Sequence, residues 1–192
     1  QVSIDTYEYA DLVDDADKVR MLIDPTSTYA RAAANAIGRA MDDAIITAAT
    51  GTAKTGVSGG TSTTMLAANQ IAHGSAGLTV AKLVSAAKIL DLLNNSTVTS
   101  SDYNSIKALV QGEIDTFLGF KFIKSTRLAV ASSVRTCFAW AEDGLKLAVG
   151  KDVMAKIEDR ADKSYSTQVF YCASFGATRM EEEKIVEIAC SE

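Results

Sequence analysis

The longest helical pattern in the chain lies between Pro25 and Gly51, and it restricts the possible folds more than any other feature. One face of this stretch carries small and apolar side chains at helical spacing: Ala30, Ala34, Ile37, Met41, Ala44 and Ala48. Thr26 or Ser27 is a suitable N-cap, and Gly51 can end the helix. The pattern predicts a helix over residues 26–50, about 40 Å long. Because the stripe is mostly alanine, we expect a sheet or a second backbone to pack closely against it.

The segment before this helix predicts a strand and then a short helix. Residues 2–7 alternate in polarity, as in a half-exposed strand. Leu12 and the stretch VDDADKVRMLID that follows it have apolar residues at helical spacing (Leu12, Ala16, Val19 and Ile23), with Asp14 as a candidate cap. Pro25 then separates this predicted helix from the long one.

Helices and strands alternate irregularly through the rest of the chain. Residues 52–77 are rich in Gly, Ser and Thr and predict a loop with a short hairpin. TVAKLVSAAKILDLLNN predicts a helix with Val80, Leu83, Val84, Ala87 and Leu90 on one side, and SSDYNSIKALVQG predicts another. GFKFIKS and RTCFAW predict strands, and YSTQVFYCASFG, a GATR turn and MEEEKIVEIAC predict a C-terminal hairpin. The predicted class is α+β.

Composition excludes several functional classes. The 192 residues are 47% hydrophobic and 22% charged, as in an ordinary folded protein, and no apolar run approaches the length of a membrane span. A net charge of −5 with scattered Lys and Arg argues against a strong nucleic-acid binder. Three cysteines at wide spacing favour buried thiols in a reducing compartment over a disulfide framework. The chain begins with Gln1, which suggests that a leading segment is missing.

The glycine-rich stretch TAATGTAKTGVSGGTSTT, residues 47–64, partly matches a phosphate-binding loop. Lys54 and Thr55 fit the pattern G-x-x-x-x-G-K-[ST], but Ala48 and Ala53 occupy both glycine positions. A phosphate loop also follows a strand and opens a helix, whereas this stretch follows a helix end. We therefore favour a flexible connector, and a nucleotide-binding module that uses Lys54 and Thr55 remains an alternative.

The other polar clusters do not form a recognisable active site. The single histidine, His73, lies in a polar loop without a second histidine or a cysteine pair nearby, so a solvated loop residue is the favoured interpretation. The N-terminal acids are Asp5, Glu8, Asp11, Asp14, Asp15 and Asp17. They lack the glycine and the bidentate glutamate of a calcium loop. Residues 181–183, all glutamate, predict a solvent-exposed stretch at the start of a strand, or a patch that contacts a basic neighbour. We predict no catalytic, cofactor-binding or metal-binding residues.

Three long stretches resemble the major capsid proteins of tailed bacteriophages with the Hong Kong-type (Johnson) fold. They are LVDDADKVRMLIDPTSTYARAAANAIGRAMDDAIITAATG, SSDYNSIKALVQGEIDTFLGFKFIKSTRL and YSTQVFYCASFGATRMEEEKIVEIAC. The resemblance implies a subunit without enzymatic activity that assembles into hexamers and pentamers of an icosahedral head around double-stranded DNA. It also implies a portal, possible scaffolding or decoration partners, no membrane, and a place in the virion after assembly in the bacterial host cytoplasm.

The resemblance also assigns parts of the chain to domains. Residues 1–9 would belong to the extended loop that laps a neighbouring subunit, and residues 10–78 to the peripheral domain, with its spine helix at 26–50 and a connector. Residues 79–149 would form the axial domain, and residues 151–192 would return to the peripheral domain as its C-terminal strands. An encapsulin-like nanocompartment shell is the alternative within the same fold.

Two segments of the family pattern are absent from this chain. The family usually begins with an N-terminal arm and the outgoing strand of the extended loop. It also usually has a strand-containing segment after the helix that matches residues 79–91. We therefore expect an omitted segment between Asp91 and Leu92, whose Cα atoms would then lie farther apart than the ~3.8 Å of a peptide link.

Overall fold

The computed structural model describes residues 2–14, 26–90 and 116–192. The helices in these ranges are α1 (Thr26–Thr50) and α2 (Val80–Ile89). The strands there are β1 (Asp5–Val13), β2 (Ala53–Thr55), β3 (Thr61–Thr63), β4 (Gln70–Ile71), β5 (Thr116–Phe117), β6 (Phe120–Lys121), β7 (Val130–Ala131), β8 (Val134–Trp140), β9 (Leu145–Arg160), β10 (Ser166–Arg179) and β11 (Ile185–Ser191). The content of helix and strand confirms the α+β class.

Helix α1 has the bounds that the sequence predicted. Its buried face is centred on Ala33, Ile37 and Ala49, with Met41 half-buried beside them. Ala34 was predicted to lie on this face but is exposed, because the preceding residue, Ala33, occupies the buried position. The backbone N–H of Gly51 donates to Thr47 O at 2.8 Å, and a Cβ on Gly51 would lie 2.4 Å from that oxygen. The helix therefore ends in a turn that only glycine fits.

A three-stranded antiparallel sheet, in the order β1-β10-β9, lies under α1. Ile37 packs with Ala173 and Phe175 in one core cluster, and Met41 lies against it. The ring of Tyr7 stacks on Phe175 at a centroid distance of 4.4 Å, so β1 contributes to the same core. The close contact between an alanine-rich helix and β10 confirms the sheet expected from the sequence.

A second, four-stranded sheet has the order β4-β11-β8-β7 and packs against α2. Strand β11 pairs antiparallel with β8 and parallel with β4. Ala86 of α2 is fully buried against Val186, Ile188 and Cys190 of β11. The hydroxyl of Thr79 accepts from the backbone N–H of Lys82 and caps the helix.

The predicted C-terminal hairpin is wrong. Strand β10 does not turn at residues 176–179 but continues through Arg179, because its pairing with β9 extends to Leu145. Strand β11 then joins β8 in the second sheet and does not pair with β10. Both predicted strands exist, but each finds its partner far away in the sequence.

Strand β9 was not predicted, and it crosses a predicted boundary. It runs without a break from Leu145 to Arg160, through the predicted division between residues 149 and 151. Strand β11, placed by the sequence in the peripheral domain, hydrogen-bonds to β8 inside residues 79–149. Strands β9 and β11 therefore each link two of the predicted segments, and the division of the chain into domains stays a prediction.

Several local predictions also need correction. The N-terminal strand is longer than predicted and includes Leu12, so no helix begins there. Of GFKFIKS, only Phe120–Lys121 forms a strand. The short hairpin predicted after α1 is confirmed as β2 and β3. The rest of the first short helix, the helix predicted from SSDYNSIKALVQG, and the Asp91–Leu92 junction lie outside the described residues.

Candidate functional site

The residues of the partial phosphate motif lie on a β-hairpin. Lys54 and Thr55 belong to β2, and the Lys54 ammonium donates to Ser62 Oγ on β3 at 2.8 Å. Gly56 and Gly59 have positive φ angles and form the turn between the two strands. No helix N-terminus follows to face an anion, because β3 comes next. The geometry of a phosphate loop is therefore absent from these residues, and the hairpin favours the connector interpretation.

The N-terminal acids that the structure describes lie along a strand and at its end and do not converge on one point. Asp5, Glu8 and Asp11 lie on the extended strand β1, where successive side chains alternate between faces. Asp14 accepts a hydrogen bond from Ser166 Oγ at 2.7 Å, while Asp15 and Asp17 lie outside the described residues. Within residues 2–14, 26–90 and 116–192, no three His, Cys, Asp or Glu side chains are grouped closely enough to hold a metal ion.

The histidine and the cysteines have structural surroundings. His73 is exposed, and its Nδ1 accepts from the backbone N–H of Ser75 at 3.1 Å. None of the cysteines is in a disulfide, and both Cys172 and Cys190 are buried. Burial, together with the neighbouring Cys190 thiol, raises the pKa of Cys137 to about 11. This thiol is therefore protonated at neutral pH and is a poor nucleophile.

A buried arginine holds the end of α1, and the sequence did not indicate it. The Arg179 side chain is 1% exposed and donates through Nη1 to Ala49 O and Gly51 O. Its Nη2 donates to Thr63 O on β3 at 3.1 Å and lies 3.6 Å from a Glu182 carboxylate oxygen. A cation at a helix C-terminus satisfies carbonyls that have no partner within the helix. Arg179 therefore joins three elements: α1, the β2–β3 hairpin and β10.

A buried lysine has the same role in the second sheet. Lys82 of α2 is 8% exposed, and its ammonium donates to three backbone carbonyls, each at 2.8 Å. These carbonyls belong to His73, Ala76 and Ala189. All three ammonium protons are thus used, and the loop before α2 is fixed to β11. Both cations were missed because a lone Lys or Arg in a sequence normally indicates an exposed side chain.

An ion pair connects α1 with the segment that leads into β7. The Arg127 guanidinium donates through Nε and Nη2 to the two carboxylate oxygens of Asp43. This hydrogen bond holds the pKa of Asp43 below its ordinary value. The pair is about half exposed, so it is weaker than the buried contacts of Arg179 and Lys82.

Two glutamates of residues 181–183, Glu181 and Glu182, lie near basic side chains of the same chain. Glu181 pairs with Lys184 at 2.9 Å, and Glu182 approaches Arg179. They form a short 3-10 turn, Glu182–Lys184, before β11. In the described part of the chain, these charged groups connect and stabilise separate helices and strands. No cluster of side chains in that part has the arrangement of a catalytic centre.

The three-stranded sheet instead presents an exposed surface. Among the described residues, β1 and β9 are its edge strands and each pairs on one side only. Strand β9 exposes a row of large apolar side chains: Leu147, Val149, Val153 and Ile157. Neither described helix is long and apolar enough to cross a membrane. An exposed strand edge of this kind can pair with a strand of another chain.

Solved structures that match this fold include phage capsids and an encapsulin. The capsid protein of the cyanophage P-SCSP1u matches with a TM-score of 0.64 and 16% identity, over 100% of this chain and 74% of that chain. The capsid of the Helicobacter pylori bacteriophage KHP30 matches with a TM-score of 0.69 and 8% identity, over 99% of this chain and 76% of that chain. The SrpI encapsulin of Synechococcus elongatus matches with a TM-score of 0.59 and 8% identity, over 97% and 73%.

A family comparison agrees with the fold and covers the whole chain. A search of curated protein sequences found no match. A family model described as phage capsid protein matches residues 1–92 and again residues 88–192. The two matches meet where the sequence analysis expects an omitted segment. The chain belongs to the phage capsid protein family.

Proposed function

We propose that this capsid protein assembles into hexamers and pentamers that close into an icosahedral head around double-stranded DNA. The observation that carries the proposal is the family match along the entire chain. The fold agrees with it, because the buried Arg179 and Lys82 side chains donate to backbone carbonyls and so stabilise the packing of separate elements. Repeating one subunit in closed symmetry buries exposed edges without any new chemistry. The subunit has no enzymatic role in this proposal.

The two sheets suggest how the domains divide. We assign α1, β1, β9 and β10 to the peripheral domain, in which α1 is the spine helix. We assign α2 and the sheet of β4, β11, β8 and β7 to the axial domain, which clusters at the centre of each capsomer. The Asp43–Arg127 ion pair joins α1 to the segment that leads into β7. The segment that precedes β1 would belong to the extended loop.

The wider setting follows from the same proposal. The partners are further copies of the chain, a portal, and scaffolding or decoration proteins. The subunit encloses DNA without reading its sequence, and a mildly acidic chain with net charge −5 would not grip phosphate. Assembly takes place in the cytoplasm of a bacterial host, and the product is the virion capsid.

An encapsulin-like shell is the second candidate, because the SrpI encapsulin has the same fold over nearly all of this chain. Both candidates form closed shells, and they differ in what the shell contains. Electron microscopy of the purified protein tests for shells, and the nucleic-acid and protein content of shells from native particles separates the two candidates. Only unassembled monomers under all assembly conditions would contradict both.

The nucleotide-binding alternative has its own test. We expect that Lys54→Ala leaves assembly and the melting temperature unchanged and that millimolar nucleotide does not raise the melting temperature. A ligand of the native state must stabilise it by mass action. A thermal shift with nucleotide that disappears in the Lys54 variant would contradict the connector interpretation.

A further inference from the structure

Two thiols meet on one face of the four-stranded sheet. Cys137 of β8 is opposite Ile188 of β11, and Cys190 of β11 is opposite Arg135 of β8. Directly opposed residues project from the same face of a sheet, as do residues two apart along a strand. Cys137 and Cys190 are therefore diagonal neighbours on one face. Cys137 packs against the core cluster that contains Cys190, and the two side chains share a hydrogen bond.

The thiol pair is covered on one side and accessible on the other. Cys190 is 6% exposed and packs in the same core cluster as Ala86 of α2. Its S–H donates weakly to Ile188 O at 3.8 Å. Cys137 is only half-buried, and neither sulfur is in a disulfide. A small solute can therefore reach the pair from the Cys137 side.

The spacing of diagonal neighbours suits a bridging ion better than a direct disulfide. Diagonal residues of paired strands have Cα atoms about 7–8 Å apart. A disulfide usually needs Cα atoms about 4.4–6.8 Å apart, so closing one here would require the backbone to move. A metal–thiolate bond is about 2.3 Å long, so an ion held in line between two sulfurs separates them by about 4.6 Å. The longer bridge fits the longer spacing.

We propose that Cys137 and Cys190 bind one cuprous ion, Cu(I), in line between their sulfurs. Soft thiolate ligands select Cu(I), and a linear two-coordinate ion needs no third ligand. A structural Zn²⁺ site needs four ligands, and residues 2–14, 26–90 and 116–192 contain no group of even three side chains able to hold a metal. The bound ion would link β8 to β11. This site goes beyond the proposed shell function and does not depend on it.

Binding exchanges two protons for one ion. Each thiol loses its proton when its sulfur becomes a ligand, so two thiols and Cu(I) give a complex with a single negative charge and release two protons. Burial raises the pKa of Cys137, and the Arg135 guanidinium lowers it, so this cation stabilises negative charge on the sulfur. Glu192, which accepts from Arg135 Nε at 2.6 Å, opposes that effect. Arg135 therefore favours the anionic complex.

Competition with a chromogenic Cu(I) chelator tests the site on the reduced chain, with oxygen excluded and ascorbate present. We expect one ion per chain. Cys137→Ser and Cys190→Ser should each lower the affinity about hundredfold or more, because changes in the outer shell of a metal site alone cost about 10–100-fold. Cys172→Ser is the matched control, since Cys172 is a buried thiol of the other sheet, and it should bind as the unmodified chain does. Circular dichroism checks that each variant folds.

A spectroscopic measurement needs no variant. X-ray absorption of the unmodified chain loaded with one Cu(I) should show two sulfur neighbours and no nitrogen or oxygen neighbour. Cys190 is buried, so this measurement decides the question even if Cys190→Ser does not fold. A metal surrounded by nitrogen or oxygen, or by one sulfur, would overturn the proposal.

The charge of the complex gives a further test. Hg(II) also binds two thiolates in line, but its complex with them is neutral. Arg135→Gln should therefore weaken Cu(I) binding about three- to tenfold and change Hg(II) binding less, because only the anionic complex is attracted to the guanidinium. Equal losses for the two ions would contradict the proposed charge on the bound complex.

The remaining outcomes also decide the proposal. Failure of the unmodified chain to take Cu(I) from the chelator would overturn it. Binding that survives Cys137→Ser, or that is lost equally in Cys172→Ser, would show that the metal binds elsewhere. Whether the chain forms shells is measured separately, so a failure of the proposed function leaves this test intact.

Discussion

Arg179 offers the strongest test of how this subunit is held together. We consider Arg179→Met, which keeps the apolar stem in its buried site and removes the guanidinium. The substitution leaves the carbonyls of Ala49, Gly51 and Thr63 without these donors. It also leaves the Glu182 carboxylate, which is 23% exposed, without its nearest cation.

The expected loss follows from these contacts. A hydrogen bond to a charged group contributes about 1.5–3 kcal/mol, so three of them set an upper bound near 9 kcal/mol. Removing one partner of a buried ion pair typically costs about 3–5 kcal/mol, because the other charge is left buried and unpaired. Water and local movement replace part of the lost contacts, so the loss stays below the upper bound. We expect the free energy of unfolding to fall by about 3–5 kcal/mol, a large share of the usual ~5–15 kcal/mol of a domain.

Urea unfolding of the unassembled subunit, followed by circular dichroism, measures this loss as a shift of the midpoint at constant slope. Arg179→Lys is the matched control, because it keeps the charge but loses the planar fork, and it should lose about 1–3 kcal/mol. A loss below about 1 kcal/mol for Arg179→Met would show that the guanidinium does not hold α1 to the hairpin, and would refute the reasoning.

Three further predictions concern the core, the N-terminal segment and the exposed ion pair. Ile37→Asp buries an unpaired carboxylate under α1, so we expect no folded or assembled protein, and soluble shells would contradict the packing. A Cβ at Gly176 would lie 1.9 Å from Ser3 O, so Gly176→Ala should displace residues 2–4 and raise their protease sensitivity, whereas Gly38→Ala, with open space around it, should not. The lowered pKa of Asp43 stabilises the fold above the ordinary aspartate value of 3.8, and this contribution disappears as pH falls through the folded-state pKa. Acid titrations should therefore show Asp43→Asn less stable than the unmodified chain at neutral pH and equally stable at low pH.

Local signals in the sequence determined the helices and several strands. Periodic apolar residues between Pro25 and Gly51 gave α1 its bounds, since helical hydrogen bonds join residues only four apart. The stretch RTCFAW predicted the strand seen as β8, and glycines marked the β2–β3 hairpin. The family resemblance, carried by long stretches of sequence, predicted the fold before any contact was known.

The candidate surface could be predicted only in part. The acids of β1 are visible in the sequence, but their place on a free edge depends on β10 being the neighbour. Strand β9 escaped prediction because charged residues interrupt its alternation and a bulge near Ser174 shifts its register. An exposed edge strand needs little apolar periodicity, so its sequence resembles a loop.

Tertiary structure alone decided which strands pair and which charges are buried. Strand pairing joins residues that are distant in the chain, and nothing local distinguishes a turn at residues 176–179 from a strand that continues to Arg179. Arg179 and Lys82 are buried because backbone carbonyls from separate elements converge on each of them. That convergence exists only after the elements have packed, whereas a helix is already specified by its own neighbouring residues.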